Sequence, residues 1–204
     1  MGLLSSTVSM TRYKVEGRLE EPILETVAKC LKQNTISEID DDISEKGVGW
    51  TSFEHPFKPT FEGSSFNIGA YMVFSLRVDK RTVPSKIIKK HCAIETAKRL
   101  AESGRQYLSQ DEKNVITESV TSALALRIPA TPNIYDLIWS YEESYLWFLS
   151  NLKSANDELE TLFLKAFGLI LIRLFPYTIA DLAIGLSDTE RDLLINLSPT
   201  NFTE

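Results

Sequence analysis

Apolar and polar residues change their spacing several times along this chain, and each change predicts an element. Ser5 to Gly17 alternates, with Thr7, Ser9 and Thr11 set against Val8, Met10, Tyr13 and Val15, which is the period of a strand. Between Glu20 and Gln33 the period lengthens: Ile23, Leu24, Val27 and Leu31 recur at helical spacing, and Pro22 stands in the first turn, where its missing N–H costs nothing. A short strand carrying Trp50 is expected over Gly47 to Phe53. After a Pro/Gly-rich loop, Phe66 to Val83 reads as one long strand with Ile68, Ala70, Met72, Phe74, Leu76 and Val78 on one face.

The second half opens with two helices. Pro84-Ser85 starts one that runs to about Ser103 and breaks at Gly104; Ser109, with Glu112 three residues on, is a capping box that starts another, ending near Leu126. In the first helix Ile87, Ile88, Cys92, Ile94, Ala97, Leu100 and Ala101 are expected to face inward, leaving its lysines outside. Strands follow over Asn133 to Trp139 and Tyr145 to Leu149, then a helix from Ser154 to Phe167 closed by Gly168, a buried strand from Leu169 to Phe175, and a short capped helix after Ser187. The order β-α-β-β-(αα hairpin)-β-β-α-β predicts an α+β fold, with antiparallel sheets and helices packed on one face. Its segments are residues 1–83, the hairpin 84–129 and residues 130–204, expected to form one continuous unit.

Composition alters this picture little, and charge alters it more. With 204 residues, 43% hydrophobic and 25% charged, the chain resembles an ordinary globular protein. No secretory signal or spanning segment is evident, and the two cysteines, Cys30 and Cys92, form no disulfide framework or zinc motif, so a cytoplasmic protein without membrane association is expected. From Arg77 to Arg105, nine basic side chains face three acidic ones, a local balance of +6. The other residues carry 13 basic against 25 acidic, a balance of −12. Polyanions respond to potential within about 10 Å, so a segregated patch matters more than net charge.

The candidate phosphate contacts are Arg77, Arg81, Lys86, Lys89, Lys90, Lys98, Arg99 and Arg127. Few acids stand at i+4 to neutralise the helical ones, and Lys86 meets Lys90 instead. No helix-turn-helix, zinc finger or RNP motif is present to read bases, so recognition is expected to ignore sequence. Catalysis finds no support: there is no nucleophile elbow, P-loop or dinucleotide fingerprint, and His55 and His91 lack partners. No cofactor is implied. Asp40-Asp41-Asp42 reads as a solvated turn rather than a Mg²⁺ site, and Asp79-Lys80 is a faint echo of a nuclease strand.

At the helical hairpin the sequence resembles a known family. Val83-Pro84-Ser85, Ile87-Ile88-Lys89, Leu108, Glu112-Lys113, Leu124 and Arg127, with Gly49-Trp50 upstream and Trp139, Leu149 and Leu162 to Gly168 downstream, are similar in order and spacing to the bacterial recombination-associated RdgC proteins, over roughly residues 5–185. Arg127-Ile128-Pro129 departs from the family's Arg-Ala-Phe motif. The resemblance implies a non-enzymatic, nucleoid-associated protein that binds duplex DNA without sequence preference, as a ring-shaped homodimer lined by basic residues, and restrains a recombinase. Lys89 and Arg127 stand where that family carries basic residues. The competing reading is an interaction or scaffold module whose basic helix docks an acidic protein surface. A Mg²⁺-dependent nuclease ranks third.

Overall fold

The computed structural model describes residues 2–39, 44–63 and 65–198. Its strands are β1 (Thr11–Glu16), β2 (Lys46–Thr51), β3 (Asn67–Ile68), β4 (Tyr71–Lys80), β5 (Thr131–Ser140), β6 (Tyr145–Phe148) and β7 (Ile170–Arg173), and its helices α1 (Ile23–Gln33), α2 (Ser85–Ser103), α3 (Gln110–Ala125), α4 (Lys153–Phe167), α5 (Pro176–Ile184) and α6 (Asp188–Ile195). The strands form a seven-stranded sheet in the order β2-β4-β5-β6-β1-β7, with β3 on β4. Pairing is antiparallel, as expected for an α+β fold: Thr11 lies opposite Phe148, Tyr13 opposite Arg173 and Leu137 opposite Phe148.

Several elements differ from expectation. The first strand begins only at Thr11 and not at Ser5, and β7, expected to be buried, is exposed at Ile170 and half-buried at Leu171, Ile172 and Arg173. The long strand is interrupted at Gly69, whose φ of 64° is cheap only for glycine, so its first residues fold back as β3 against β4. The helix α5 was not anticipated. Pro176 begins it at a position that tolerates proline, Thr178 Oγ1 accepts from Phe175 N at 2.9 Å, and Gly185 ends it.

The chain divides into two compact units, each assembled from separate stretches of sequence. One comprises Met1–Asn34, Trp50–Leu76 and Tyr135–Glu204, and the other Thr35–Gly49 and Arg77–Ile134. In the first, α1 and α4 pack together and bury Val27, Leu31, Leu159, Leu162 and Phe163. The core is aromatic. Trp50 meets Phe74 edge-on at 5.2 Å, and Trp139 meets Phe163 at 5.0 Å and Phe167 at 5.3 Å. Burying such rings supplies area, and edge-to-face pairs add about 0.5–1.5 kcal/mol each. The indole Nε1 atoms of both tryptophans are buried without a hydrogen-bond partner among the described residues.

Tyr13 carries a polar group into this core. The Tyr13 hydroxyl, fully buried, lies 2.6 Å from Asn156 Oδ1 and 2.9 Å from Glu160 Oε1, and Arg173 Nη2 donates to that same carboxylate oxygen at 2.7 Å. Burial first, and then the bond to Glu160, push the phenol's pKa well above its usual value, so it stays a neutral donor.

In the second unit, Gly49 owes its identity to a close approach: a Cβ there would collide with the backbone of Ile36.

Candidate nucleic-acid interface

The second unit holds the helical hairpin and every basic residue singled out in the sequence. Pro84 is extended and releases the chain into α2, and Gly104, in the left-handed region at φ 64°, ends it. The next start is fixed by a reciprocal cap: Glu112 N donates to Ser109 Oγ at 3.2 Å, and Ser109 N donates to Glu112 Oε2 at 2.8 Å. Arg105 Nη2 adds a bond of 2.9 Å to Glu112 Oε1. The backbone donor of Ser109, followed by the Arg105 guanidinium, holds the Glu112 carboxyl below its ordinary range.

Packing of the hairpin is one-sided. Cys92 Sγ lies 3.9 Å from Thr117 Oγ1, which sets the register of two antiparallel helices and brings the residues after α3 back beside the start of α2. Ile88, Cys92 and Leu100 turn towards α3 and are half-buried, whereas Ile87 and Ile94 are 39% and 56% exposed. The expected inward stripe is therefore split. A helix that packs against a single neighbour covers about a third of its circumference, and residues at 87 and 94 fall on the far side. No residue of α2 is fully buried, whereas α3 buries Ile116, Leu124 and Ala125.

Lys86, Lys89, Lys90 and Lys98 are exposed, and no ion pair engages them among the described residues. Lys86 and Lys90 lie one turn apart, and Lys98 lies about 12 Å further along the axis. Arg127, also exposed, sits at the same end of the hairpin as Lys86. Arg99 is partly neutralised by Glu95 at 3.6 Å, and Arg105 is committed to the cap.

Arg77 and Arg81 do not join this surface, which corrects the expectation that the strand extends it. They are only 4% and 6% exposed. Arg77 clamps Asp79 with two bonds, Nε to Oδ1 at 2.8 Å and Nη2 to Oδ2 at 2.7 Å, and reaches Glu38 at 3.1 Å. Burial weakens its hold on its proton, but the bonds to Asp79 and Glu38 outweigh that and raise its pKa. Arg81 Nη2 donates to Ile39 O at 2.7 Å. Residues two apart on a strand share a face, so Arg77 and Asp79 were placed to pair, a signal present in the sequence and unused.

That pairing also bears on nuclease chemistry. Asp79 is 1% exposed with both oxygens taken by Arg77, which leaves no face for a hydrated Mg²⁺ ion. Asp40, Asp41 and Asp42 lie outside the described residues. Among the described residues no three His, Cys, Asp or Glu side chains gather as metal ligands, and no helix is long and apolar enough to cross a membrane. Comparison with protein-family models and with curated proteins finds no match to this chain.

Proposed function

We propose that the chain is a non-enzymatic protein that binds the phosphate backbone of duplex DNA without reading its sequence, through Lys86, Lys89, Lys90 and Lys98 of α2, with Arg99 and Arg127 at its margins. One observation carries the reading: four exposed ammonium groups on one helix have no acidic partner among the described residues. Holding like charges together in solvent gains nothing for the fold, whereas each is a ready phosphate contact. The resemblance to recombination-associated proteins supports the same polyanion and extends the proposal to modulation of recombination in the nucleoid, to a homodimer and to restraint of a recombinase.

Titration of one labelled duplex at two salt concentrations tests it. Binding is expected at low salt, falling steeply as salt rises, and the double substitution Lys89→Glu with Lys90→Glu should abolish it. Silence at low salt, or full binding by the double variant, removes the proposal. Ile87 and Ile94, exposed between the lysines, favour the rival reading of a protein-docking helix, since phosphates need no apolar contact. Light scattering separates the two: salt-sensitive self-association without duplex binding supports docking.

A further inference from the structure

Helices α1 and α4 cover one face of the sheet in the first unit. On the other face, cations and aromatic rings stand in matched rows. Across the β1–β6 pair, Arg12 lies opposite Trp147 and Lys14 opposite Tyr145. Tyr71 of β4 adds a third ring, 6.1 Å from Trp147 and nearly perpendicular to it, and the Tyr145 ring centre is 6.5 Å from that of Trp147. Tyr71 and Tyr145 remain 42% and 39% exposed. Arg12 is exposed with no ion pair among the described residues, while the Lys14 ammonium rests 4.5 Å from the centre of the Tyr145 ring and donates to Glu143 O at 3.2 Å.

Two hollows flank these rows. One of about 420 Å³ is lined by Val8, Met10, Tyr71, Ile138 and Trp147, and another of about 410 Å³ by Arg12, Lys14, Tyr145, Ile179 and Leu182. The spacing is informative. Alternate residues on a strand are about 6.7 Å apart, so one ring and one cation recur at a step close to that of an extended nucleotide chain.

We propose that this face is a stacking platform for single-stranded nucleic acid. Successive bases lie on Trp147 and Tyr145, and the phosphates between them lie beside Arg12 and Lys14. A base on Tyr145 takes the ring face that Lys14 now covers and frees its ammonium for the phosphate. Glu16, next along the same face of β1 and also lining the second hollow, ends the cationic track, so the platform seats only a few nucleotides. A duplex has no use for the rings, because its bases are already stacked, and an apolar chain has no use for cations in register. This site is independent of the lysines on α2.

Tryptophan emission reads the platform directly, because Trp50 and Trp139 are fully buried and Trp147 is not. A short oligothymidylate or oligouridylate is expected to quench the full-length protein at low salt, and either sugar supports the platform. Tyr145→Leu should weaken that quenching about tenfold, as should Arg12→Ala with Lys14→Ala. By anisotropy of a labelled strand, Trp147→Leu should lose binding to a similar extent, while Trp147→Phe keeps it. Near-ultraviolet dichroism of the buried tryptophans checks folding, and Tyr145→Leu carries the test if Trp147→Leu does not fold. Absence of quenching, wild-type binding by both leucine variants, or equal quenching by an abasic phosphate chain or by laurate would overturn the platform. Since the readout is Trp147 with a single strand, loss of duplex binding through α2 would leave the platform standing.

Discussion

Arg77 and Lys89 carry the same charge and play opposite parts. Replacing Arg77 by alanine strands the Asp79 carboxylate, 1% exposed, without its clamp, and breaking one side of such a buried pair costs about 3–5 kcal/mol. Lys89→Ala, at an exposed position without an ion pair among the described residues, should stay within about 0.5 kcal/mol of the parent. Urea unfolding of the two variants measures the contrast, and equal midpoints would contradict the burial of Arg77. The sequence carried enough to separate them, because Arg77 and Asp79 alternate on a strand while Lys89 faces no acid at i+4. Counting charge along the chain merges the two; pairing by strand period does not. Trp147 was harder to foresee. Its strand reads Tyr145-Leu146-Trp147-Phe148, apolar on both faces, so alternation alone does not say which rings are covered.

Helix boundaries were the most legible features. Capping and glycine termination gave α2, α3 and α4 to within a residue, because those signals rest on local backbone groups that need no distant partner. The long strand was over-extended because Gly69 looks like any small residue until its backbone turns, and α5 was hidden behind the apolar run Leu169 to Phe175, where Pro176 looks like a stop rather than a start. The cap of α3 makes a pH prediction. Its Glu112 carboxyl titrates below 4.5 when folded, so its contribution to stability is present above pH 4.5 and is lost as pH falls through the lowered value. Acid titration of helical dichroism should therefore show a loss in that window that Glu112→Gln lacks. Identical titrations would mean that the cap contributes nothing.

For the whole molecule, polarity of charge counts for more than its sum. A net charge of −6 keeps the chain in the acidic class, while among the candidate phosphate contacts those exposed and without an ion pair among the described residues are the four lysines of α2 and Arg127. Five neutralised phosphates limit the slope of log affinity against log salt to about −4.5, and the acidic remainder should make it shallower. A measured slope steeper than this would require further contacts beyond these five, and a slope near zero would remove electrostatic binding altogether. The candidate site was thus half legible: its helical lysines followed from charge and capping, but its strand end did not, because burial is set by packing partners such as Glu38 that lie far off in the sequence.

The position of β1 carries a consequence for the making of the protein. This strand sits between β6 and β7, with Thr11 opposite Phe148 and Tyr13 opposite Arg173. On a ribosome adding about 5–20 residues per second, its partners emerge on the order of ten seconds after it does. Throughout that interval Tyr13 and Val15 lack the strands that flank them in the folded protein, and β1 cannot take its place in the sheet until β6 has been made.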